Sequence, residues 1–326
     1  MNPERKLRIK SSAMLAVFAV LTAVSACLAN LPLKSLPEQQ TSAYAEMPAA
    51  VRSNPASVQS EKPGPAGSLN ELLNRMDKAD GNGGLWYSPS VRIDDGVLLV
   101  LYDIMDRLES EGYRFGFVCT DLTTGETVSF NEDEKFYTAS SIKAFYAVSL
   151  LKAKPEVLKN YTPQLSRMLI WSNNDDYAEL RRTFRKEYIR QFCTEAHADP
   201  AIADEMYPYI SAMEMAKLWA CIYDWIEEGS EEARTVAEWF ETPNRSSIRD
   251  VTDSNVLTRT KGGWIYYIGE DGTLYSETND AGIVYEKGHP YILAVMTDVP
   301  DDYEIINPLT AVLTAVHRSM NGESAG

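Results

Sequence analysis

Thr138-Ala139-Ser140-Ser141-Ile142-Lys143 is the stretch on which the fold of this chain turns. It stands between a predicted hairpin and a run over 141–152 that is almost all apolar, which predicts a buried helix. Serine is a weak nucleophile until a neighbour removes its proton. Lys143, three residues on, shares a helical face with Ser140. Burial among Phe145, Tyr146 and Val148 disfavours an ammonium ion and lowers the lysine pKa, so a neutral amine becomes available as general base. A helix N-terminus adds free N–H groups and a dipole that favour developing negative charge. Taken alone, the pattern equally fits an N-cap serine beside a lysine that snorkels to the surface. Ser-x-x-Lys also arises by chance about once in a chain of this size.

Upstream, Leu98, Leu101, Ile104, Met105 and Leu108 share one face and predict a helix over 94–112, with Gly112 as its stop. A strand over 113–121, a turn at Thr123-Thr124-Gly125-Glu126 and a returning strand over 127–130 make a hairpin. Downstream, 163–242 reads as helical throughout, with its longest amphipathic piece over 212–228. Strands are then predicted over 263–269, 281–285 and 291–297, the first followed by a tight turn at Glu270-Asp271-Gly272. A helix over 308–320 closes the chain. Helix, two strands, many helices, three strands, helix is an α+β order: an antiparallel sheet built from both ends of the domain, with an inserted all-helical lobe. The seam between sheet and lobe is a natural place for a pocket.

Two further elements fall at that seam. Trp171-Ser172-Asn173-Asn174 follows a helix carrying Leu165, Met168 and Leu169, and by itself reads equally as a helix break and cap. Lys261-Gly262-Gly263-Trp264 opens a strand-like run and by itself reads as a basic turn. Together with Ser140 and Lys143, in this order and on these elements, they resemble the serine beta-lactamase and penicillin-binding protein family, closest to its class A beta-lactamase-like branch. That family's signature is Ser-x-x-Lys, Ser-Asp-Asn and Lys-Thr-Gly. The resemblance runs over about 91–320, and Asn279-Asp280-Ala281-Gly282-Ile283-Val284 and Pro290-Tyr291-Ile292-Leu293-Ala294-Val295 resemble its last two core strands.

The resemblance implies roles. Ser140 attacks and carries the acyl group, and Lys143 takes its proton. Ser172 relays a proton to the leaving nitrogen. Lys261 supplies positive charge to Ser172 and to a substrate carboxylate. Asn174 bonds the substrate amide. Gly263 and Trp264 border the substrate, the Trp264 N–H joining that of Ser140 in an oxyanion hole. Three departures stand against it. Asn173 replaces an aspartate that is mainly structural. Gly262 replaces a Thr or Ser whose hydroxyl binds substrate carboxylate, with Thr260 or Ser276 as candidate substitutes. No Glu-x-x-Leu-Asn follows the second motif to activate a deacylating water, and Asp204 and Glu205 read as solvated loop acids. Acylation is then expected, with slow hydrolysis of a penicilloyl-enzyme.

The 326 residues carry a net charge of −16, which argues against nucleic acid or anionic lipid as partner. Residues 1–27 are nonetheless basic, with Arg5, Lys6, Arg8 and Lys10 against Glu4, and an uncharged apolar stretch over 11–33 follows. That is an export signal. Val24-Ser25-Ala26-Cys27 resembles a lipoprotein cleavage site, although an uncleaved anchor or ordinary cleavage fits too. All three options place the domain outside the cytoplasm, with membrane contact only through the N-terminal segment. The expected organisation is a signal or anchor over 1–33, a Pro/Ala/Ser-rich tether with a short helix over 34–90, and the hydrolase domain over 91–326.

Cys119, Cys193 and Cys221 show no metal spacing, and three histidines give little material for a zinc site or a Ser-His-Asp triad. Cys193 and Cys221 could pair, or all three could be buried thiols. No metal or organic cofactor is expected, and a monomer is. Trp264, Tyr266 and Tyr267 read as sheet packing, with a sugar- or peptide-stacking surface as the other option. The expected function is an extracytoplasmic serine hydrolase acting on an amide or ester, peptidoglycan-derived or beta-lactam. The alternatives are a class A-like beta-lactamase and a silent module of that fold at the cell envelope.

Overall fold

The computed structural model describes residues 67–322 apart from 185 and 287. The expected export segment, the Cys27 sequence and the expected tether up to residue 66 lie outside them.

The body begins with helix α1 (Leu69–Met76), capped by Ser68. Its Leu72, Leu73 and Met76 are buried in the main core. Asp77, just past its end, bonds His197 at 2.9 Å and pairs with Lys217. The short strand β1 (Leu85–Tyr87) then joins the sheet beside β3. The packed body therefore reaches back to Ser68, rather than starting at 91. Three apolar residues are too few to show a strand's alternation, which is why 85–87 reads as tether in the sequence.

Helix α2 (Asp95–Ser110) leads to β2 (Phe115–Asp121) and β3 (Thr127–Phe130), the predicted hairpin. A small strand β4 (Lys135–Tyr137) pairs with β5 (Tyr209–Ser211), which interrupts the supposedly all-helical middle. Between them lie α3 (Ile142–Ala153), α4 (Glu156–Ile170), α5 (Asn174–Thr183) and α6 (Glu187–Glu195). Next come α7 (Ala212–Glu227), held by a Ser211–Glu214 capping box, α8 (Glu231–Glu241) and the short α9 (Ser247–Val251).

Four strands complete the sheet: β6 (Leu257–Thr260), β7 (Gly263–Ile268), β8 (Leu274–Glu286) and β9 (His289–Thr297). Helix α10 (Tyr303–Met320) starts five residues before Pro308. The order across the sheet is β1-β3-β2-β9-β8-β6, with β7 also on β8, and every pair is antiparallel. β6 escaped the sequence reading because its buried positions are Thr258 and Thr260, not apolar residues.

Both faces of the sheet are covered. Val118, Ile292, Ala294 and Met296 face the helical lobe. Their neighbours Phe117, Cys119, Leu293 and Val295 face α2 and α10. This alternation explains the unbroken apolar runs of β2 and β9. Cys119, Cys193 and Cys221 are free, buried thiols. Burial pushes all three pKa values up, those of Cys193 and Cys221 to about 12, so these thiols are unreactive.

The long strand β8 positions the site. Its first half pairs with β7 and its second half with β6. Lys261 and Gly262 sit at the joint between those two edge strands, where the Lys261 N–H donates to Ala281 O at 3.0 Å.

Candidate active site

Ser140 lies in a single 3-10 turn, Ala139–Ser141, that runs straight into α3. Ala139 has φ +45, an uncommon backbone region for a residue with a side chain. Ser172, on the connection between α4 and α5, has φ +58. Strained residues of this kind persist where the surroundings over-determine them, and functional sites are where they collect. The Ser172 connection is clamped by Arg167, whose guanidinium grips Asp176 through bonds of 2.8 and 2.6 Å. Asn173 caps α5, its side chain accepting from Asp176 N at 2.9 Å.

Lys143 is fully buried. Its Nζ lies 2.8 Å from Ser140 Oγ, 2.6 Å from Ser172 O and 2.6 Å from Asn174 Oδ1. Burial, and next the charge of Lys261, push its pKa down to about 6. A neutral amine has two hydrogens and one lone pair. The two carbonyl oxygens can only accept, so they take the hydrogens, and the lone pair is left facing the Ser140 hydroxyl. This is the geometry of a general base and its nucleophile.

Lys261 is also fully buried. It donates to Ser172 Oγ at 2.5 Å and to Gly262 O at 2.8 Å. Burial lowers its pKa, and the Asp280 carboxylate opposes that shift. Ser172 thus bridges the two lysines, one on its carbonyl and one on its hydroxyl.

The glycines at 262 and 263 are dictated by contacts. A Cβ on Gly263 would stand 2.5 Å from Ser141 N and Thr138 O, and 2.8 Å from Ser140 N. β7 is therefore pressed against the nucleophile turn, which brings Trp264 within one residue of the Ser140 amide. A Cβ on Gly262 would fall on the hydroxyl of Tyr303, which donates to Asn279 O at 3.0 Å. Neither proposed substitute hydroxyl is free. Thr260 donates to Ser246 Oγ, and Ser276 donates to Asp298 O.

All seven residues singled out from the sequence belong to this one neighbourhood: Ser140, Lys143, Ser172, Asn174, Lys261, Gly263 and Trp264. Sequence reasoning missed Tyr207, whose hydroxyl donates to Asn174 Oδ1 at 3.2 Å. It also missed Arg245, whose guanidinium carbon lies 4.7 Å from the centres of the Trp264 and Tyr303 rings, and Asp280. The signal for Asp280 was there, a polar Asn279-Asp280 step opening an apolar strand run.

The loop acids stay away. Asp204 pairs with Lys186 at 2.7 Å and Arg190 at 2.5 Å, and Glu195 pairs with Lys152. Glu205 is exposed. Among the described residues, no carboxylate hydrogen-bonds Ser140, Lys143, Ser172, Asn174 or Lys261, and no cluster could hold a metal ion.

A model of the Beta-lactamase enzyme family matches residues 101–156 and 165–316. No curated protein matches significantly. Among solved structures, the class A beta-lactamase from Mycobacterium abscessus is 16% identical with a TM-score of 0.54, over 67% of this chain and 99% of that one. The beta-lactamase from Burkholderia phymatum gives 16%, 0.54, 68% and 99% on the same measures. The beta-lactamase from Chitinophaga pinensis gives 16%, 0.53, 68% and 98%. At these identities the likeness speaks for the fold.

Proposed function

The chain belongs to the beta-lactamase enzyme family, and on that premise we propose that it is an acyl-transferring serine hydrolase of amides or esters. The observation that carries this is the Lys143 lone pair left facing Ser140 Oγ. In the proposed reaction Ser140 Oγ bonds to the acyl carbon and its proton passes to Lys143 Nζ. The leaving nitrogen or oxygen takes a proton through Ser172, whose hydroxyl is held by Lys261. The amides of Ser140 and Trp264 stabilise the oxyanion. Asn174 spends its carbonyl on Lys143 and Tyr207, so its NH2 is what it offers to a substrate amide. The basic start and apolar run over 11–33 support export, and a cell-wall peptide or a beta-lactam as acyl donor.

Two observations favour slow turnover or a silent, binding-only role: Tyr303 fills the place of a side chain at Gly262, and among the described residues no carboxylate hydrogen-bonds Ser140, Lys143, Ser172, Asn174 or Lys261. The experiment is intact-protein mass spectrometry after incubation with a penicillin or a fluorophosphonate, beside Ser140→Ala. An adduct on the wild type alone supports the proposal, and its persistence reports slow deacylation. No adduct with either reagent leaves the binding module.

A further inference from the structure

We propose that the leaving group of the acyl donor is uncharged, and that Asp301 sets this preference by holding the charge of Arg245. The proposal rests on the site being an acyl-transfer centre and narrows that reading. An internal or capped amide or ester is the better donor, and one whose leaving group carries a carboxylate is the poorer.

The place of the leaving group follows from the proton it takes. Lys261 Nζ donates to both Ser172 Oγ and Gly262 O, so the Ser172 hydroxyl lies beside Gly262. A group protonated through Ser172 therefore departs past Gly262 and the start of β7. A carboxylate there needs donors or positive charge to spare. Gly262 has no side chain, and the Tyr303 hydroxyl in its place donates to Asn279 O at 3.0 Å. Thr260 donates to Ser246 Oγ at 2.9 Å, and Ser276 to Asp298 O at 2.8 Å. Lys261 is fully buried. Arg249, on the short α9, donates to Pro243 O and pairs with Asp250 at 3.2 Å.

Arg245 is the part-exposed cation at this edge of the site, and it is latched. Its carbonyl oxygen stands 3.2 Å from where a Gly262 Cβ would be. Its guanidinium carbon lies 4.7 Å from the centres of the Trp264 and Tyr303 rings. Nη1 donates to Asp301 Oδ1 at 2.5 Å and Nη2 to Asp301 O at 3.5 Å. Asp301 has φ +39, a strained backbone for a residue with a side chain. Thr278 Oγ1 pins the loop on either side of it, donating to Val299 O at 2.8 Å and accepting from Asp302 N at 2.9 Å. Such strain persists where the surroundings over-determine it. With its charge matched by a fixed carboxylate, Arg245 has no net charge to offer an incoming anion, whereas a neutral leaving group forfeits nothing. A merely structural Asp301 would hold the start of α10 and affect all acyl donors alike.

The test uses two esters of phenylacetylglycine, one with 3-hydroxybenzoic acid as leaving phenol (the acid ester) and one with 3-hydroxybenzamide (the amide ester). In each, the bond from Ser140 Oγ to the acyl carbon forms and the bond from that carbon to the phenol oxygen breaks. The serine proton passes to Lys143, and the phenol leaves with a proton from Ser172. Phenol release is read by absorbance beside Ser140→Ala. The wild type is expected to use the amide ester about tenfold faster or more. Asp301→Asn removes the matching charge, and asparagine accepts the left-handed backbone. It is expected to speed the acid ester about fivefold or more and leave the amide ester in place. Adding Arg245→Gln to it should cancel that gain. An acid ester used as fast as the amide ester by the wild type overturns the proposal and leaves the acyl-transfer reading standing. So does an Asp301→Asn that speeds both esters alike or neither. Release from neither ester above the Ser140→Ala control sinks the acyl-transfer reading, and the proposal with it. If Asp301→Asn does not fold, Asp301→Gly, which also accepts that backbone, takes its place.

Discussion

Gly263 lies so close to Ser140 that a single methyl group on it would stand 2.8 Å from the Ser140 amide nitrogen. The obstructing atoms are backbone, at Thr138 and Ser141 as well, so nothing can swing aside. Gly263→Ala is expected to lower the labelling rate of Ser140 at least about tenfold and to destabilise the fold by about 1–3 kcal/mol. Labelling kinetics and a thermal melt check both. A variant as fast as wild type would mean that β7 does not press on the nucleophile turn.

In the proposed role, Lys143 is a base only when neutral. Its pKa is held near 6 by burial and by Lys261, so the neutral fraction grows as pH rises through about 6. Labelling of Ser140 should therefore climb across that pH and fall again as Lys261 loses its proton. Lys143→Met should remove the acid limb and cost about 100-fold or more in rate. A flat profile in the wild type would dismiss Lys143 as the base.

Gly262 and Tyr303 are predicted to be coupled. Gly262→Ser drives its Cβ into the Tyr303 hydroxyl and should destabilise by about 1–3 kcal/mol. Tyr303→Phe removes that oxygen, leaving the ring carbon at 3.2 Å. The double variant should then be more stable than Gly262→Ser alone, a non-additivity readable from melting temperatures. Simple additivity would refute the coupling.

Asp121 joins β2 to α10. Burial favours its neutral form, but bonds from His317 Nε2 at 3.0 Å, Thr124 N and Asn321 hold its pKa down at about 2. Stability gained this way is present above the unfolded pKa of about 4 and is lost as pH falls from there through about 2. It amounts to about 2 kcal/mol. Asp121→Asn should flatten that part of the acid-stability curve, measured by urea unfolding between pH 5 and 2. An unchanged slope would assign acid loss to other carboxylates.

Much of this was legible in the sequence, because the informative residues lie on strongly patterned elements. α3 reads as buried, since nearly every residue in it is apolar, and Ser140 and Lys143 are locked to it by helical spacing. The hairpin β2–β3 shows a turn of the expected composition. Short or polar pieces were not legible. β1 has three residues and β6 buries threonines, and neither produces a period. The Tyr207–Asn174 hydrogen bond joins residues distant along the chain, so no local pattern announces it. Tyr303 at Gly262 is a matter of shape alone. The sequence shows a missing hydroxyl there, whereas the fold shows what stands in its place.

β2 is hydrogen-bonded on one side to β3, its immediate successor, and on the other to β9, with Phe115 opposite Thr297 and Asp121 opposite Tyr291. The nucleophile is thus made early and its setting late. While the chain is being synthesised, Ser140 exists for more than a hundred residues before Lys261, Gly263 and Asp280 follow it. On the proposed function, chain order acts as a safety catch, because the lysine that holds Ser172 Oγ and the strand that carries Gly263 reach Ser140 only once β6 and β7 have joined β8.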